Sequence, residues 1–306
     1  MDALVEHPIR KLEELLLLHL IKVYEARKTS KREGLDKYSD LLIDKFAIHA
    51  GTLFHLLNGL IEAKGSSENA KKMAIDVFTI NSLLRVLMET YVTFHHLFVH
   101  PQNPDEKEFK LLLWKLEGHF EKKKFRILEG DFQDAASVLN EDDIEIASIA
   151  ATIENHLFRS ELTSSEFSRI FGLKEKKAVW RFLHKNGRAR ILKIIDLVEY
   201  TCPTRAFFNL YRYASMHTHS GYVSIEHFEK MRGQLLSDSY INNFPRMAAV
   251  LTIFLIVDLA TIDVNARKAF DDFSEVDKRD FNGIHHSFRT AAASDPKNTF
   301  AAWRSL

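Results

Sequence analysis

An arginine and a histidine spaced to reach one phosphate are the clearest chemistry in this chain. In the stretch Tyr211-Arg212-Tyr213-Ala214-Ser215-Met216-His217-Thr218-His219, Arg212 and His219 stand seven positions apart in helical patterning. Seven steps of about 100° bring the second side chain back to within about 20° of the first, two turns further along. Ser215, three residues after the arginine, falls on the same side. A fixed guanidinium grips a phosphate through a fork of donors, and an imidazole exchanges a proton near neutral pH. Together they suit chemistry on a phosphodiester. The competing reading is a polar helix face on which Arg212 binds a neighbouring carboxylate. His217 lies about 140° around the helix from Arg212 and is the substitute histidine.

A second stripe carries Arg85, Glu89 and His96, at offsets of four and eleven residues. Arg85 and Glu89 have the spacing of an intrahelical ion pair. Apolar neighbours from Ile80 to Phe94 nearly encircle them, so the pair is either a structural buried bridge or part of a polar site. If the two helices pack together, Glu89 is placed to orient Arg212 or His219.

A third group is the basic run Lys174, Lys176, Lys177, Arg181, Lys185, Arg188, Arg190 and Lys193, with Trp180 and Phe182 interleaved and Glu175 as its single acid. Cations that track a backbone and aromatic faces that stack on bases make this an RNA-contact candidate. Alternatively it is a solvated helix pair that balances the acids of residues 129–145. Fifteen histidines invite a metal. Yet no His-Glu-x-x-His pair occurs, Cys202 is the single cysteine, and adjacent histidines on a helix diverge by about 100°. No metal or cofactor is expected. The chain also lacks the phosphate-binding Gly-x-x-x-x-Gly-Lys loop, Gly-x-Gly-x-x-Gly and the Gly-x-Ser-x-Gly elbow, which removes common nucleotide hydrolases, dehydrogenases and serine hydrolases.

The elements that must position these groups are helices. Only 11 glycines and 6 prolines in 306 residues leave little material for hairpin turns, and apolar residues recur at helical spacing nearly throughout. Helices are expected over 8–28, 37–64, 69–100 and from Asp105 to about 127. Asn140 is expected to cap an acidic helix, and Thr163 with Glu166 to open a short one as a capping box. Pro203 and Gly221 bracket the motif helix, 221–237 reads as irregular, and Pro245 opens a buried helix to about 264. The result is an all-α fold of about ten helices in a multi-helix bundle. We divide it into an N-terminal helical lobe, 1–128, an acidic join or insertion, 129–175, and a C-terminal helical lobe, 176–306. A single continuous domain is the alternative division.

Lys plus Arg and Asp plus Glu are 42 each, so any nucleic-acid affinity must come from a local patch. Leu15–Leu18 follows Glu13-Glu14 instead of a basic region, so no signal peptide is expected. The apolar run Met247–Val257 closes at Asp258, short of the roughly 20 residues of a spanning helix. A soluble cytoplasmic protein without membrane contact follows as an expectation.

Arg212 with His219, or with His217, resembles the Arg-x(4–6)-His signature of the HEPN superfamily, all-helical domains that include metal-independent RNases. Arg85-x-x-x-Glu89 paired with Tyr211-Arg212-x-x-Ser215-x-x-x-His219 also resembles a widespread, uncharacterised bacterial helical family. The first resemblance implies an HEPN-like core with additional helices and a composite site across a homodimer. It further implies RNA as partner, a protein regulator or antitoxin, and endoribonuclease activity of a toxin or antiviral effector. In that reading His219 is the acid or base, Arg212 stabilises charge, and Glu89 and Ser215 orient them. Tyr213 departs from the signature, whose nucleases place Asn, Asp or His after the arginine.

Overall fold

The computed structural model describes residues 8–29, 32–65, 77–124, 135–202, 204–218, 221–231 and 238–290. Among them are twelve α-helices and two small hairpins, so the all-α expectation holds with more helices than the ten anticipated. Contacts gather the chain into two compact units. The first combines residues 1–95 with 195–305, and the second is essentially the intervening segment, 96–194.

In the first unit, α1 (Pro8–Lys28) and α2 (Lys37–Gly65) form where periodicity predicts. Next comes α3 (Val77–Phe94), which widens into a π-type turn at His95–Val99. The predicted start at residue 69 lies outside the described residues. After the second unit the chain returns through α7 (Ile194–Thr201), α8 (Arg205–His217), α9 (Tyr222–Met231), α10 (Asp238–Ile262), α11 (Val264–Asp271) and α12 (Glu275–Thr290). The segment from Gly221 is therefore helical through Met231, not irregular. Pro245 lies inside α10 and does not open it. Proline lacks the donor that an interior position would use, but the seven residues before it still take helical form.

Helix α10 is the axis of this unit and packs against α1, α2, α3, α11 and α12. Its stretch Phe244–Ile262 is long and apolar enough to cross a membrane by length and composition. Most of it is buried against those neighbours, as the core helix of a water-soluble fold would be.

The second unit holds α4 (Pro104–Lys122), α5 (Ala135–Glu154) and α6 (Ser164–Ile170). Asn103 caps α4, its side chain accepting from the Glu106 backbone N–H. The Thr163–Glu166 capping box forms as read from sequence. Helix α5 begins at Ala135, so Asn140 sits within it and not at its start.

Two antiparallel hairpins follow, β1 (Phe171–Gly172) with β2 (Lys177–Ala178), and β3 (Phe182–Lys185) with β4 (Arg188–Ile191). They correct the helical reading of the basic run. The cause is local: Asn186 and Gly187 adopt φ of 52° and 68°, the left-handed pair that a two-residue hairpin needs. Phe109, Phe158 and Phe182 pack ring on ring beneath, with centroids 5.3–6.3 Å apart.

Candidate functional site

Helix α8 starts at Thr204, whose hydroxyl accepts from the Phe207 backbone N–H, and buries Phe207, Tyr211, Ala214 and His217. These positions follow a helical stripe, and α8 lays it against α3. Arg212 is one residue off the stripe and is exposed, its guanidinium over the Phe208 ring at 5.5 Å. Among the described residues no carboxylate binds it. His219 lies outside the described residues.

The group that does converge between α3 and α8 is Arg85, Glu89, Tyr211 and Thr218. Arg85 Nε donates to Glu89 Oε1 at 2.8 Å, and the same oxygen accepts from the Tyr211 hydroxyl at 2.8 Å. A second Arg85 nitrogen donates to Thr218 Oγ1 at 2.7 Å, and that hydroxyl donates to the Ser215 carbonyl. Burial and the hydrogen bond to Glu89 raise the Tyr211 hydroxyl's pKa, so it stays a donor. Glu89 thus grips Tyr211, not Arg212, and the network ties down the C-terminal turn of α8 one residue before His219. The Ser215 Oγ is buried with no hydrogen-bond partner.

Tyr211 stands in the sequence motif without a role of its own, because an aromatic at an apolar position looks like core. His217, only 5% exposed, sits in an aromatic cage. Its ring meets Phe78 at 5.3 Å and Tyr213 at 4.4 Å, and its Nε2 lies 3.3 Å from His227 Nδ1. His96 belongs to the second unit's segment, where its Nε2 is 3.3 Å from the Trp180 carbonyl.

The basic run divides in two. Trp180 is 3% exposed and donates from Nε1 to Glu117 at 2.6 Å. Arg181 binds both oxygens of Glu117, at 3.1 and 2.8 Å. That excludes Trp180 as a stacking platform, and Arg181 is committed to the bidentate pair. Lys177 donates to the Ser168 carbonyl at the β2 edge. Lys174, Lys176 and Arg188 are exposed, while Lys185 and Arg190 are half-buried. Among the described acids of α5, Asp142, Asp143 and Glu145 pair with Lys115, His119 and Lys122 of α4 and with Lys123 at its C-cap.

His119, Asp142 and Glu145 present atoms close enough for one metal ion. However, the two imidazole nitrogens face different carboxylates, each at 3.2 Å, and Lys115 and Lys122 supply the countercharge. An ion there would have to displace ammonium groups, so the geometry is that of an ion-pair lattice.

A further cluster was missed because its parts are far apart in sequence. Asp258, which closes the apolar run, is 2% exposed. It accepts from the Tyr91 hydroxyl at 2.7 Å and faces His285 Nε2 at 3.0 Å and Arg289 at 3.2 Å. Burial pushes this carboxyl up, but Arg289, the His285 hydrogen bond and the charge of His95 outweigh it. The group is held well below the usual carboxylate range. His285 Nε2 cannot both donate to Asp258 and accept from Arg289 Nε. The carboxylate, as the stronger acceptor, takes its proton.

Residues 71–234 match the model of a family of unknown function, DUF5677. No curated protein and no solved structure matches the chain.

Proposed function

The chain belongs to the DUF5677 family of unknown function, and on that premise we propose that it is an HEPN-like, metal-independent endoribonuclease. One observation carries this reading: Arg212 presents an exposed guanidinium with no carboxylate partner among the described residues. It does so on a helix that Arg85 and Glu89 anchor through Tyr211 and Thr218. An arginine left open on a fixed element is what recognition of a phosphate requires.

In the proposed reaction His219 removes the proton of a ribose 2′-hydroxyl. The oxygen attacks the adjacent phosphorus, and the 5′-oxygen leaves with a proton taken from water, to which the His219 imidazolium gives up its own. The products are a 2′,3′-cyclic phosphate and a free 5′-hydroxyl. Arg212 stabilises the charge gathered on the phosphorane oxygens. Arg85 and Glu89 act as positioning residues through Tyr211 and Thr218. Exposed Lys174, Lys176 and Arg188 extend the contact to RNA backbone. The reading carries with it a cytoplasmic setting, a homodimer and a protein regulator such as an antitoxin, in the manner of toxins or antiviral effectors.

The test is incubation with total RNA in EDTA, followed by detection of cyclic-phosphate ends. Arg212→Ala and His219→Ala should each abolish cleavage while helical circular dichroism persists. Undiminished cleavage by both variants rejects the assignment. A second reading, a non-catalytic helical module that binds RNA, a nucleotide or a protein, draws on the engagement of Glu89 by Arg85 and Tyr211, which leaves Arg212 without an orienting carboxylate. It expects RNA to be shifted in a gel and recovered intact.

A further inference from the structure

The end of α8 and the body of α9 meet through two imidazoles. His227 Nδ1 lies 3.3 Å from His217 Nε2, with ring centroids 5.2 Å apart and planes at 30°. His217 Nδ1 is buried and has no partner. One proton must lie between the facing nitrogens for them to bond, and its position follows from that orphan atom. Were Nδ1 the protonated nitrogen, a buried N–H would lack an acceptor, which costs more than leaving a bare lone pair. His217 therefore donates from Nε2, and His227 accepts at Nδ1. The same orphan disfavours a metal between the rings, because chelation through Nε2 would force the proton onto Nδ1 with no outer partner to hold it.

We infer that His217 and His227 form an acid-released latch that holds α9 against α8. The closed pair has room for a single proton. A second on His227 Nδ1 would set donor against donor. A second on His217 Nδ1 would bury a cation and an unpaired N–H among Phe78 and Tyr213. Once α9 separates, the His217 ring takes up a proton from water.

Among the described residues, no carboxylate stands ready to compensate the closed form. On α3, Arg85 and Glu89 bind each other, Tyr211 and Thr218. On α9, Glu226 binds Lys230 at 2.7 Å, and Glu229 is exposed. On α8 itself, Tyr213 contributes its ring face and Arg212 points to solvent. Burial, with the charge of His227, lowers the His217 pKa from its ordinary 6.5. The sign follows: closure is fully present above about 6.5 and is lost as pH falls through the lowered folded value. Among the described residues α8 is the element α9 packs against most, and Tyr222, Val223 and Ile225 are exposed.

Hydrogen exchange of the full chain between pH 7.5 and 5, corrected for intrinsic exchange, tests the latch without reference to RNA cleavage. In the wild type, amides of 222–231 should lose protection below about pH 6.5. The expected change is up to about tenfold per pH unit for each proton taken up. His217→Phe fills the cage with a ring that neither titrates nor bonds His227, so protection of α9 should become independent of pH. If circular dichroism shows that variant unfolded, His217→Gln, which retains a donor toward His227, should likewise give a flat profile. Unchanged wild-type protection across this range, or a folded variant that follows the wild-type curve, overturns the inference.

Discussion

At Asp258 a carboxylate is buried inside an apolar helix, and Tyr91, His285 and Arg289 keep it ionised. Removing its charge leaves Arg289 partly buried and unpaired, so Asp258→Asn should lower unfolding free energy by about 3 kcal/mol in urea titrations. Because the folded carboxyl is depressed, its stabilisation is present above about pH 3.9 and lost as pH falls toward the folded value. The wild-type urea midpoint should fall between pH 4 and 2.5 more steeply than that of the variant. Tyr211→Phe deletes one hydrogen bond to Glu89 and should cost about 1 kcal/mol. At this scale the sequence displayed Arg212, Arg85 and Glu89 by type and spacing. It hid Tyr211, whose hydroxyl matters only once α3 lies alongside α8. Asp258 was visible as the end of an apolar run. Its partners, 167 residues before and 27 and 31 after, could be found only through tertiary packing.

Helices were legible where an apolar stripe and its punctuation agreed, as in α1, α2 and α6 with its Thr163–Glu166 capping box. They were misread where one strong residue was allowed to overrule the stripe. Pro245 suggested a beginning, yet α10 starts at Asp238. The hairpin β3–β4 turns at Asn186-Gly187, but the same dipeptide stands inside α2 at Asn58-Gly59 and inside α12 at Asn282-Gly283, so residue type alone does not mark the turn. Gly187 has open space around it, so the cost of Gly187→Ala is conformational alone. About 1 kcal/mol is expected, read as a lower thermal midpoint. Thr163→Ala should cost a similar amount, about 1 kcal/mol, by removing the cap of α6.

Over the whole molecule, equal numbers of acids and bases give no long-range pull on RNA. If the exposed Lys174, Lys176 and Arg188 carry the backbone contact, log affinity for single-stranded RNA should fall with log salt no more steeply than about −2. Filter binding from 50 to 200 mM salt checks it. A much steeper slope would require a basic surface beyond these three.

The discontinuous first unit has a consequence for biosynthesis. Residues 1–95 leave the ribosome with α1, α2 and α3 complete, but α10, the helix that closes their apolar faces, is encoded some 140 residues later. At 5–20 residues per second that interval lasts on the order of 10 s. Throughout it the early helices must be sheltered by one another or by a chaperone, and the contiguous segment 96–194 is free to fold first.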